Sequence, residues 1–174
     1  MASTTIKVIS SCKYLFIKSR AYTAGAVTGD IYIRNLQTGT YSSTSPYTIP
    51  YSGANNFGQV MVDIQDLPGA GGVYELDIRE GGVTARKQLV IVKCDIDCCL
   101  VKLTNELIDC ACDCAKCSTS LAKAQKIYLL LKSAETAAEN YNVATITNSG
   151  YALDAMNKYK KAKEICDASC GCDC

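Results

Sequence analysis

Over residues 5–92 apolar side chains recur at every second position, in runs too short for helices. Val60, Val62 and Ile64 share one face against Met61, Asp63 and Gln65, and Tyr74, Leu76 and Ile78 oppose Glu75, Asp77 and Arg79. A period of two marks half-buried antiparallel strands. Six strands follow, over 5–9, 13–18, 30–35, 59–64, 73–79 and 84–92. Glu80-Gly81-Gly82 supplies a hairpin turn between the last two, and Pro68-Gly69-Ala70-Gly71-Gly72 the corner before them. Short strands at this spacing predict a two-sheet sandwich.

Past residue 93 the period lengthens. Ile96, Cys99, Leu103, Leu107 and Cys110 recur at helical spacing, as do Leu121, Ala124, Tyr128, Leu131, Ala134, Ala138 and Tyr141. Ala152, Ala155, Tyr159, Ala162 and Cys166 form a third stripe. Three amphipathic helices follow, with Asp95 placed to cap the first, Ser118 or Thr119 the second, and Asn148 or Ser149 the third. The connections, 111–117 and 142–147, are short, so consecutive helices should run antiparallel. The predicted class is α+β: an antiparallel β-sandwich over 1–93, then a cysteine-rich three-helix bundle over 94–174.

Composition sharpens that division. One cysteine, Cys12, precedes residue 94 and the other eleven lie from Cys94 onward. A hydrophobic content of 48% with 20% charge suits packed domains, and a net charge of +1 argues against a broad nucleic-acid surface. The opening Met1-Ala2-Ser3-Thr4-Thr5 lacks the basic region of a secretory signal. The longest strongly apolar run, 127–131, is far below the roughly 20 residues that span a bilayer. Synthesis in the cytoplasm with neither membrane nor nucleic acid as partner is the expectation.

An up-down-up bundle would bring the end of helix one, the start of helix two and the end of helix three to one pole. Cys110, Cys112, Cys114 and Cys117 would then face Cys166, Cys170, Cys172 and Cys174. Cys-x-Cys steps strain disulfide geometry, so bridges should join one cluster to the other. One or two tetrahedral all-cysteine zinc sites would serve equally, since thiolates alone can fill the metal's four positions. Either device compensates for the small core of a bundle of about 80 residues.

Catalytic chemistry finds little support. There is no histidine, which removes the commonest general base and the Ser-His and Cys-His pairs. Cys114-Ala115-Lys116-Cys117 has dithiol spacing but lacks a surrounding βαβ pattern. Gly69-Ala70-Gly71-Gly72 precedes a strand, whereas a phosphate loop opens a helix. Lys158, Lys160, Lys161 and Lys163 read as a solvated helix face beside Glu164. The chain is not expected to be an enzyme.

Two resemblances add to this. Asp66-Leu67-Pro68-Gly69-Ala70-Gly71-Gly72-Val73-Tyr74-Glu75-Leu76 resembles the E–F corner of immunoglobulin-like (Ig-like) domains, with Tyr74 as the corner tyrosine and Leu76 where the second disulfide cysteine would stand. The chain has neither tryptophan nor a B–F cysteine pair, so the resemblance implies a disulfide-free relative; another antiparallel sandwich or a jelly roll is the alternative. Further on, Cys94-Asp95-Ile96-Asp97-Cys98-Cys99-Leu100-Val101-Lys102-Leu103, followed by Cys110 to Cys117 and a terminal Cys-x-Cys pair, resembles the cysteine-rich helical tails of tailed-bacteriophage structural proteins, marine and crAss-like phages included. That resemblance implies a virion subunit of capsid, neck or collar, or tail, whose partners are other virion subunits and copies of itself. The alternative is a host-surface or carbohydrate-binding module using Tyr41, Tyr47 and Tyr51 in the polar segment 37–56.

Overall fold

Alternating residues do form strands, and these make two antiparallel sheets. A computed structural model describes residues 7–10, 13–52, 56–69, 71–110, 114–143 and 149–169. The chain divides into two units, Met1–Val92 and Lys93–Cys174.

In the first unit β1 (Lys7–Ser10), β2 (Tyr14–Arg20) and β5 (Phe57–Asp63) form one sheet in the order β1-β2-β5. The other contains β3 (Thr28–Asn35), β4 (Tyr47–Pro50), β6 (Gly72–Glu80) and β7 (Val83–Val92), in the order β4-β3-β6-β7. This is the A-B-E and C′-C-F-G arrangement of Ig-like sandwiches. Leu15, Ile17 and Val62 from the first sheet and Ile31, Ile33, Ile49, Leu76 and Ile78 from the second fill the core. β4 is the strand the hydrophobic pattern missed.

The E–F corner is closed by Tyr74. Its buried ring carries the hydroxyl 3.0 Å from the carbonyl oxygens of both Pro68 and Gly69 and 3.3 Å from that of Gly71. Asn35 braces the same corner, donating from Nδ2 to the Pro68 carbonyl at 2.9 Å and accepting from the Gln37 amide at 2.8 Å. Gly72, at φ 143°, leaves room for Gln37, whose Oε1 would lie only 2.6 Å from an added Cβ. Tyr74→Phe should therefore cost about 0.5–1.5 kcal/mol of first-unit stability. Denaturant unfolding of the full chain, followed by hydrogen exchange in β6, measures it; no loss would mean that the hydroxyl is not what closes the corner.

β6 departs from the half-buried expectation, because Glu75 and Asp77 on its outward face are buried as well. Long side chains of β3, β7 and β6 itself flank them. Arg34 and Lys87 flank Glu75 at 3.2 and 3.4 Å, and Arg79 pairs with Asp77 at 2.9 Å while lying 4.4 Å from the Tyr32 ring centre.

The second unit consists of α1 (Cys94–Asp109), α2 (Cys114–Val143) and α3 (Ser149–Ser169). α1 runs antiparallel to α2: Lys93 pairs with Glu135 near one end, and the Ser120 hydroxyl donates to Glu106 at 2.9 Å near the other. Glu135, flanked also by Lys132 at 3.0 Å, is drawn below the usual carboxylate range, for although burial pushes it up the two ammonium groups outweigh burial. Ile96, Cys99, Leu103, Ile127, Leu131, Ala134, Ala155, Tyr159 and Ala162 form the shared seam.

Helix starts and one face differ from expectation. α2 begins at Cys114, so Ser118 and Thr119 lie inside it, and the Thr119 hydroxyl donates back to the Ala115 carbonyl. Asp95 lies within α1 and accepts from the Tyr159 hydroxyl, so it joins α1 to α3 and is not the cap. Ser149 opens α3, while Asn148 lies outside the described residues. Leu121 and Tyr128 are 46% and 56% exposed, and the seam passes through Ser120 and Ile127. The Cys117 bridge and the Ser120 hydrogen bond, both to α1, set the rotation of α2; Leu121 stands one residue, about 100°, away from that line.

Candidate functional site

The cysteines are the residues the sequence singles out, and helix length decides where they go. At about 1.5 Å per residue, α2 is about 45 Å long, α1 about 24 Å and α3 about 32 Å. α1 therefore packs along the first part of α2, while α3 starts from the far end and overlaps α1 over part of its length. Tyr159 and Lys163 of α3 both meet Asp95, the latter at 3.4 Å, and Cys166 is bridged to Cys99 with Cα atoms 5.9 Å apart. The Lys163 ammonium is held above its ordinary range, first by its hydrogen bond to Asp167 and then by Asp95.

Cys166 thus does not join Cys110 at one pole, as the up-down-up argument expected. Cys110 lies eleven residues beyond Cys99, about 16 Å further along α1. Cys110 is instead bridged to Cys117, with Cα atoms 5.8 Å apart, inside the cluster expected to reach across to the other. For Cys110, Cys117 and Cys166 the pairing differs from the expected one because the three helices are unequal in length. Cys114 is a free, exposed thiol and Cys98 a free, partly exposed one. Cys112, Cys170, Cys172 and Cys174, and Cys12 of the first unit, lie outside the described residues. Among the described residues no group of three or more Cys, His, Asp or Glu side chains is placed to hold a metal ion.

In the first unit the polar groups tie loops together. Glu80, buried at the end of β6, accepts from the Tyr22 amide at 2.9 Å, the Thr23 amide at 2.6 Å and the Tyr51 hydroxyl at 3.0 Å. Burial alone would raise its pKa, but these hydrogen bonds outweigh it and hold the carboxyl below its usual range. Tyr51 responds in the opposite sense, raised by burial and by Glu80. Gly29 makes the arrangement possible, since a Cβ there would lie 2.3 Å from the Tyr51 hydroxyl oxygen.

The tyrosines considered for sugar stacking separate accordingly. Tyr51 and Tyr47 are buried, the latter with its hydroxyl toward Asp66, and Tyr41 is 50% exposed. Two of the three rings present no free face.

The exposed apolar surface of this unit lies elsewhere. Phe16 of β2 and Met61 of β5 are cross-strand partners on the outer face of the three-stranded sheet, 46% and 53% exposed. Tyr14 meets Phe16 edge to face at 6.2 Å, and exposed Phe57 lies under the Lys18 ammonium. No motif announced this row; outward apolar positions on β2 and β5, at period two, were the available signal.

Comparison with protein-family models finds no match. A search of curated proteins finds none either. Among the described residues, no helix is long and apolar enough to cross a membrane. The functional reading therefore rests on the exposed apolar face of the first unit and the bridges of the second.

Proposed function

We propose that this chain is a non-enzymatic structural subunit of a tailed-bacteriophage particle, of capsid, neck or collar, or tail, that joins neighbouring subunits. The observation that carries the reading is the apolar row Tyr14, Phe16, Met61 and Phe57 on the outer face of the β1-β2-β5 sheet. Exposed apolar faces tend to be association surfaces, and here Lys18 and Gln59 separate the Phe16–Met61 pair from Phe57. The cysteine-rich helical segment, by its resemblance to phage structural proteins, supports the particle as the setting. The way Tyr51, Asn35, Gln37 and Glu80 are spent on holding loops suits a subunit that must keep its shape.

In this reading the subunit is made in host cytoplasm, and structural zinc would fall to thiols left outside the two bridges. Mass spectrometry of gradient-purified particles from cells carrying the gene tests the proposal. The chain should co-purify at fixed stoichiometry, and Phe16→Asp with Met61→Lys should fold yet fail to incorporate. Presence only in the soluble lysate fraction would overturn it.

A further inference from the structure

The one motif that assembly does not use is Cys114-Ala115-Lys116-Cys117. Cys114 is the first residue of α2, exposed and free, and Cys117 stands one turn on, already bridged to Cys110. Residues three apart on a helix present their Cβ atoms about 5–6 Å from each other, and in a terminal turn this closes readily to disulfide separation. Helical spacing thus sets a free thiol one turn from a sulfur of an existing bridge.

We propose that the corner between α1 and α2 is a thiol–disulfide exchange site with Cys114 as the attacking sulfur. The Cys114 thiolate attacks the Cys117 sulfur, the Cys114–Cys117 bond forms, the Cys110–Cys117 bond breaks, and Cys110 leaves as the thiolate. One disulfide and one thiolate stand on each side, so no oxidant or reductant is consumed. Cys117 is common to both isomers. In the first isomer the bridge ties the end of α1 to α2; in the second it lies within α2 and no disulfide links the two helices. The site accordingly sets whether a disulfide cross-links the two helices at this corner. The inference is independent of the virion reading, since it needs only the three sulfurs.

Trypsin makes the isomers separable. Cleavage after Lys102, Lys116 and Lys123 puts Cys110, Cys112 and Cys114 on one peptide, 103–116, and Cys117 on another, 117–123. The native full chain, held at pH 8 and then at pH 5, is quenched in acid, alkylated and sequenced by tandem mass spectrometry. At pH 8 the link from Cys117 should be found on Cys110 in some molecules and on Cys114 in others, with Cys114 alkylation falling as the second isomer grows. Cys114→Ser should leave Cys110 as the sole partner. Cys110→Ser, oxidised by glutathione, should still yield the two peptides linked, through Cys114. Cys114 fully alkylated at pH 8 beside an undivided Cys110–Cys117 bridge would overturn the proposal. A link that migrates to Cys112 in place of Cys114 would overturn it as well.

Discussion

Replacing Cys99 and Cys166 together by alanine should lower the stability of the helical unit by about 4 kcal/mol. The bridge spans a sequence separation of 67 residues, and the chain-entropy cost of so long a loop in the unfolded state gives about that figure. The Cys110–Cys117 bridge, with a separation of 7, should contribute only about 2.5 kcal/mol by the same relation. The order matters more than either value. Denaturant unfolding of the full chain, followed by circular dichroism at 222 nm where the helices dominate, should show the larger loss for the Cys99/Cys166 pair. In excess reductant the wild type should fall below both bridge variants measured without it. Equal losses, or an unfolding midpoint indifferent to reductant, would show that α1 and α3 are held by packing alone.

Glu80→Gln should cost the first unit about 2–3 kcal/mol, as expected when a charged acceptor serving buried donors is replaced by a neutral group. The amide keeps the shape of the carboxylate but turns a donor toward an arrangement of donors: the amides of Tyr22 and Thr23 and the hydroxyl of Tyr51. A pH dependence follows. The folded pKa of Glu80 lies below its ordinary value of 4.5, so its stabilisation is fully present above that value and drains away as the pH falls through the lower, folded one. The wild type should lose stability over this acidic window, and the variant, having nothing to protonate there, should lose less. Hydrogen exchange at the ends of β6 and β3 reads the local effect. Parallel pH profiles for the two proteins would remove Glu80 as the cause.

The sequence makes the strands and the E–F corner legible because their signals are local. Tyr74 and the carbonyls it reaches lie within six residues, and alternation within β5 or β6 needs no knowledge of the partner strand. β4 escaped because only Tyr47 and Ile49 mark its inward face, between Pro46 and Pro50 in a polar stretch. Glu80 gave no warning, since the loop it holds is 57 and 58 residues away. The α2 seam was displaced at Leu121 and Tyr128 because two adjacent apolar lines run along that part of the helix, and only the bridge and hydrogen bond to α1 select between them. Pairing Cys166 with Cys99 required the relative lengths of three helices, which periodicity does not supply without accurate ends.

The Cys99–Cys166 bridge also determines how the second unit would carry a load. Tension entering from the sandwich and leaving through the carboxyl end passes along seven residues to Cys99, crosses the sulfur bond to Cys166, and bypasses everything between. Most of α1, all of α2 and most of α3 are mechanically in parallel with a covalent shunt. At about 3.4 Å per extended residue, roughly 230 Å of contour stays out of reach of the pull while that bond is intact. Reduction would turn the same segment from ballast into slack.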